Sequence, residues 1–376
     1  MAMLSIEPVL SALRSVAIAL LLVGTCSTVA QATPAIDAYK QGNVLLEKKD
    51  YKGAIIALDK AIQLDPKLAD AHISRARAYY RLGEDGKAID DLNLVLKIDP
   101  VNATEFRGRG AAYDALAKIA WTKTDYSSAR TYGQQAIENL SKAIALDGNQ
   151  ADAYRQRAQA RWWLMNHPVP ETGKDSFFSI TGDPLVCDDY SAAIKLNPTD
   201  VDAYIGRAEA TIRDWEQQIR DFNKAISLDP KHAKAYEARG KAYLNRQHYR
   251  EAIDDLTQAI ELNPEDEWDY HMRGIAYGRL QQYQKEIDDY SRAIGLHPQD
   301  SLWPLWTYYA ARGSAYGKLG QYRKEIDDRS KVINLVPNNG AFYYVRGEAY
   351  EKLGKKDLAA KDKEMAAKLG YKPEQK

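Results

Sequence analysis

YEARGKAYLNRQHYREAIDDLTQAIELNP, residues 236–264, and YHMRGIAYGRLQQYQKEIDDYSRAIGLHP, residues 270–298, are two copies of one pattern. Tyr236, Gly240, Tyr243, Tyr249, Ala259 and Pro264 return at Tyr270, Gly274, Tyr277, Tyr283, Ala293 and Pro298, with Glu286 in the slot of Ala252 and Tyr290 in that of Leu256. The spacing of Tyr236, Gly240 and Tyr243 places them on one face of a first helix, and Ala252, Leu256 and Ala259 do the same on a second. A helical glycine costs about 0.5–1 kcal/mol against alanine. Its recurrence at Gly42, Gly110, Gly240, Gly274, Gly313 and Gly347 therefore predicts close contact, with helix axes approaching to about 8 Å and the neighbouring tyrosines buried. Each copy ends at a proline, which forces the preceding residue out of the α region. Asp65-Pro66, Asp99-Pro100, Asn197-Pro198, Asp229-Pro230, Asn263-Pro264, His297-Pro298 and Val336-Pro337 thus mark helix ends.

With the Gly or Ala slot as a ruler, nine repeats are found, at Gly42, Ala76, Gly110, Ala158, Ala208, Gly240, Gly274, Gly313 and Gly347. They span approximately 35–68, 69–102, 103–150, 151–200, 201–232, 233–266, 267–305, 306–339 and 340–371, with a tail at 372–376. The order of large residue, Gly, Tyr, Ala, aromatic, Ala and Pro resembles the tetratricopeptide repeat. That resemblance implies an all-α fold, a right-handed superhelical solenoid of about nine helix-turn-helix repeats, which binds and does not catalyse. The last helix, Asp357 to Leu369, carries Lys361, Lys363 and Lys368 and reads as a water-facing cap.

The period breaks in four places. Gly110 to Ala158 is fourteen residues too long, with Trp121 to Tyr132 inserted before a second helix resumes near Ala136, so that pair is extended or bent. Ala158 to Ala208 is sixteen too long; the insertion at 166–183 holds Pro168, Pro170, Gly173 and Gly182 around Phe177-Phe178 and reads as an ordered loop. The fifth repeat is two residues short, and five extra residues near Leu302 to Trp306 precede the eighth. In solenoids such insertions often flank the binding surface.

In the family the chain resembles, first helices line a concave channel, and five positions of each repeat usually face the ligand. Carried over one by one, these are Arg77, Tyr80 and Arg81; Arg107 and Asp114; Arg155, Gln159, Trp162 and Trp163; then Arg213, Lys241, Trp268, His271, Arg279 and Tyr344. The run from Arg77 to Trp163 is basic and aromatic, suited to an acidic or carboxylate-bearing peptide segment of a partner protein. The competing reading packs Trp162 and Trp163 beneath the Phe177-Phe178 loop. Arginine also recurs just before the ruler slot (Arg75, Arg109, Arg157, Arg207, Arg239, Arg273, Arg312, Arg346), and aspartate recurs on the second helix (Asp91, Asp189, Asp221, Asp255, Asp289, Asp328, Asp362). Charges in step with the architecture predict a structural ladder, joining either one repeat or two.

Chemistry is not signalled. The six histidines are scattered, no nucleophile elbow or phosphate loop is present, and Gly108-Arg109-Gly110 lacks both the preceding strand and the third glycine of a dinucleotide site. No cofactor, metal or small-molecule substrate is expected. Adjacent carboxylates such as Asp254-Asp255 point about 100° apart on a helix, and Cys187 reads as a small core residue. Fifty-two basic residues balance fifty-two acidic ones, which disfavours nucleic acid as a partner. Residues 1–32 carry Arg14, the apolar run Val16 to Val23 and a small-residue end at Ala30-Gln31-Ala32, the pattern of a signal peptide. Export to a periplasm or out of the cell is the expectation. Val23-Gly24-Thr25-Cys26 also resembles a lipobox, apart from its threonine, so a lipid on Cys26 is the alternative and the one membrane attachment foreseen. The main reading is a peptide-binding scaffold; the rival is an architectural component of an envelope or secretion complex.

Overall fold

The computed structural model describes residues 34–167, 184–297 and 304–373, and every regular element among them is an α-helix. Eighteen follow one another: α1 (34–47), α2 (Tyr51–Leu64), α3 (Ala69–Arg81), α4 (Asp85–Leu96), α5 (Ala103–Thr122), α6 (Tyr126–Leu146), α7 (Ala151–Asn166), α8 (Pro184–Leu196), α9 (Val201–Ala210), α10 (Trp215–Leu228), α11 (Ala233–Asn245), α12 (Tyr249–Leu262), α13 (Glu267–Arg279), α14 (Tyr283–Leu296), α15 (Leu305–Lys318), α16 (Tyr322–Leu335), α17 (Gly340–Lys352) and α18 (Lys356–Lys368). The helices form two compact units, one ending at Arg213 and the other beginning at Asp214. Both are stacks in which each helix packs on the next.

Helix starts are fixed by side-chain caps. Asp50, Asn102, Asp125, Asp200 and Asp214 each accept a backbone N–H from the first turn they precede, satisfying donors that the helix itself leaves unpaired. The turns inside the hairpins need a left-handed residue: Gly83, Gly320 and Gly354 serve at φ 70–74°, while Lys49, Thr124, Gln247 and Gln281 adopt φ 59–64°.

The glycine slot is a contact point, as the sequence predicts. A methyl group on Gly42, Gly110 or Gly240 would sit 2.6–2.9 Å from Leu58, Leu140 or Leu256 on the second helix. Those leucines are fully buried, each contributing about 1.5–3 kcal/mol. Around them lies a core of small residues, such as Ala54, Ala61, Ala71 and Ala78 beside Leu58 in the first two repeats.

The fourteen-residue excess in the third repeat neither bends nor breaks the pair. It lengthens α5 to 20 residues and α6 to 21, where α11 and α12 have 13 and 14. Seven residues are close to two helical turns, so both apolar faces stay in phase. The added turns reach α7, where Trp121 meets Trp163 edge-on at 5.9 Å. Asn166 closes α7 and His167 is its cap, while the rest of the insertion at 168–183 lies outside the described residues. So do the signal-like residues 1–32 and, of the extra segment before the eighth repeat, Leu302 and Trp303.

Candidate partner-binding faces

In the first unit the first helices touch one another, α3 with α5, α5 with α7 and α7 with α9. This row carries the sequence-predicted arginines, and the structure divides them into two kinds. Arg107 donates to Asp70 Oδ2 at 2.8 Å, and Arg155 pairs with Asp152 at 2.6 Å and Asp200 at 3.0 Å. Their charge is spent on Asp70 of α3 and Asp200 at the start of α9, both from neighbouring first helices, and on Asp152 of Arg155's own helix. Arg77 and Arg81 are exposed, with no ion pair among the described residues, and Tyr80 lies between them, packed against the core of Leu92 and Leu116. Gln159 is half-buried.

The paired tryptophans also separate. Trp162 packs into the core formed by Ala158, Val186 and Tyr190, beside Cys187, so it is a packing residue. Cys187 has its Sγ 3.7 Å from Thr211 Oγ1. Trp163 joins an aromatic cluster at the tip of the long hairpin. It stacks on His167 at 4.6 Å and 15° and meets Trp121 edge-on at 5.9 Å; Trp121 in turn contacts His167 at 5.0 Å and Tyr126 at 4.7 Å. Trp121, Tyr126 and His167 are not among the sequence-predicted site residues. The signal was their position at the edges of insertions.

In the second unit Lys241 and Arg279 are exposed. Trp268 is half-buried, 5.1 Å from His271. His271 turns inward instead, its ring 5.7 Å from Tyr290 and 5.1 Å from Tyr308. Burial pulls the imidazole down to about 4, so it is neutral near pH 7 and is no cation for an acidic ligand. A second aromatic group stands at the α11–α12 turn, where Trp215 stacks on His248 at 5.8 Å and Arg246 lies 5.4 Å over the Trp215 ring.

The arginine–aspartate ladder exists, and it joins repeats as well as completing them. Arg75, Arg157, Arg239, Arg273, Arg312 and Arg346 fork onto Asp91, Asp189, Asp255, Asp289, Asp328 and Asp362 with Nε and Nη2 at 2.5–2.9 Å. The remaining Nη1 donates to the second helix of the preceding repeat, onto Asp59, Ser141, Asn223, Thr257, Ser291 and Ser330, at 2.5–3.1 Å. At Arg239, Arg273, Arg312 and Arg346, tyrosines three residues before and four after hold the arginine from either side, as Tyr236 and Tyr243 hold Arg239. This accounts for much of the tyrosine content. In the third repeat the aspartate slot holds Asn139, whose amide bonds Gln135, and Arg109 has no ion pair among the described residues.

Comparison with known proteins is consistent with this architecture. Models of the tetratricopeptide repeat match residues 42–83, 69–102 and 233–266. The Hsp70-Hsp90 organizing protein 3 of Arabidopsis thaliana is 26% identical over 222 residues, covering 56% of this chain and 40% of that protein. The small glutamine-rich tetratricopeptide repeat-containing protein 2 of Mycosarcoma maydis is 34% identical over 107 residues, 28% of this chain and 26% of that one. The chain thus spans about two fifths or less of the length of these relatives. Among solved structures, a MamA protein aligns at TM-score 0.42 and 26% identity, over 45% of this chain and 91% of its own. YrrB, a TPR protein with an unusual peptide-binding site, aligns at TM-score 0.44 and 22% identity, over 49% and 93%.

Proposed function

Because the chain belongs to the tetratricopeptide-repeat family, we propose that its scaffold function consists of holding an acidic segment of a partner protein on the first-helix face of repeats 2–4. The observation that carries this is the pair Arg77 and Arg81 on either side of Tyr80, exposed cations without a counter-ion among the described residues. Arg107 and Arg155, already neutralised, shape the face and do not supply its charge. Trp163 and its aromatic neighbours add a half-buried aromatic cluster in the same unit. The relatives named for organising Hsp70 and Hsp90 support a protein as the partner class, and binding, not catalysis, is the mechanism.

A titration of fluorescent acidic peptides by anisotropy tests the assignment. Arg77→Glu with Arg81→Glu should weaken binding at least tenfold and flatten its salt dependence, while Lys361→Glu with Lys363→Glu on the terminal helix should leave it unchanged. Equal losses from the two pairs would reject this face. The reading includes export, with residues 1–32 removed or Cys26 lipid-modified. Mass spectrometry of the mature amino terminus distinguishes Thr33 from modified Cys26, and an intact Met1 would reject both.

A further inference from the structure

We propose that repeat 7 contains an alkaline-release device, in which proton loss from Asp269 loosens the packing of α13 on the preceding repeat, the side on which the residues of the same slot, Ala71, Ala153 and Ala203, are buried. Asp269 lies five residues before Gly274, the slot that holds Ala71, Ala153, Ala203 and Ala235 in four other repeats. Those alanines are fully buried and Asp269 is 2% exposed. A carboxyl group has thus been put where the architecture calls for a methyl. Its Oδ1 is buried with no hydrogen-bond partner among the described residues.

The charges facing it deepen the conflict. Glu237 approaches from α11 and Asp266 from the α13 cap, both repelling a second negative charge. Arg273, one turn along α13, is the one cation acting on it, and that guanidinium is forked onto Asp289 of α14 at 2.8–2.9 Å. The helices α12 and α14 contribute none of the charges acting on Asp269. Burial first, then Glu237 and Asp266, push its pKa up to about 8. The folded chain therefore keeps a proton that the unfolded chain, with an ordinary carboxyl near about 3.9, releases. The sign follows from linkage: this group favours folding most below pH ~4, and its contribution is lost as pH rises through about 4 to 8.

Asp269 adjoins Trp268 and lies two residues from His271, so loosening here alters the first-helix face of repeats 6 and 7. The readout is unfolding, not capture, so the inference stands or falls apart from the peptide-binding reading. Glu286, which burial raises to about 7, acts in the same direction and has to be silenced. In a Glu286→Gln background, urea unfolding of the full chain between pH 5 and 7 should show an unfolding constant rising about tenfold per pH unit from Asp269. Asp269→Asn should remove that increment, and Asp269→Ala should remove it while raising the urea midpoint. If the asparagine variant does not fold, the alanine variant still reports the slope. A slope that either variant leaves unchanged, or a lower midpoint for Asp269→Ala, would overturn the proposal.

Discussion

The slot that packs against the first-helix glycine is Leu58, Leu92 and Leu140 in the first three repeats, each fully buried beside Ala54, Ala88 or Ala136. In repeats 7 and 8 of the second unit the leucine gives way to Tyr290 and Arg329, and the alanine to Glu286 and Glu325. The same helical hairpin is thus built once around hydrocarbon and once around polar groups. Room is the condition. A methyl group on Gly278 or Gly317 would meet the carboxylate of Glu286 at 2.8 Å or of Glu325 at 2.5 Å, where the corresponding residues of other repeats are Leu46, Tyr80 and Leu244. Each enlarged acid on the second helix is matched by a side chain deleted from the first. The ladder aspartates differ in parallel. Burial raises Asp91, but Arg75 and His72 together outweigh it and leave its pKa lowered, whereas burial prevails over Arg239 at Asp255 and over Arg273 at Asp289.

The comparison can be broken most sharply at Arg329. It is 7% exposed and 3.6 Å from Glu325, itself 8% exposed; burial pushes the guanidinium down and the carboxyl up. Arg329→Leu alone leaves a buried acid without its cation and should cost about 3–5 kcal/mol in urea unfolding. Combined with Glu325→Ala it restores the arrangement of the first unit, and the double variant should match or exceed the parent by up to about 4 kcal/mol. A double variant as unstable as the single one would mean that the polar pair is required by the fold.

A smaller effect is predicted at Gly278. Gly278→Leu overfills the space held by Glu286 and should cost about 1–3 kcal/mol, whereas Gly278→Leu with Glu286→Ala returns the pair to the Leu244 and Ala252 arrangement and should recover it. Purely additive losses in the double-mutant cycle would show that the two positions do not compensate. The smallest effect belongs to the first unit. Thr124 is β-branched and left-handed at φ 59° where Gly83, Gly320 and Gly354 stand in other hairpins, so Thr124→Gly should raise stability by about 1 kcal/mol. An unchanged melting temperature would show that this turn is relaxed by its surroundings.

Periodic features were legible without coordinates because periodicity is itself a geometric statement. The glycine slot, the hairpin pairing and the ladder all follow from residues returning at a fixed distance. The substitution of Glu286 for Ala252 was visible too, but its compensation by Gly278 was not, because the two positions meet only once the hairpin closes. For the same reason Arg107 looked available. Its partner Asp70 lies 37 residues away, on a helix that becomes its neighbour only by stacking. His271 read as ligand-facing by position, whereas its ring turns inward against Tyr290 and Tyr308. The long hairpin was detected as a surplus of residues but not as helix, since a count does not reveal how an excess is shared between two strokes of the chain.

That sharing has a consequence for how such a chain can change length. At about 100° per residue, seven residues return a side chain to within about 20° of its starting direction, while three or four swing it by about 60° or 40°. Lengthening α5 alone would leave its new turns without an opposing surface, and lengthening both by an arbitrary number would rotate glycine and leucine away from each other. A hairpin of this kind therefore grows by matched additions that keep both faces in phase, and seven residues per helix is the shortest that does so within about 20°, so the smallest in-phase insertion or deletion shared by its two helices is fourteen residues.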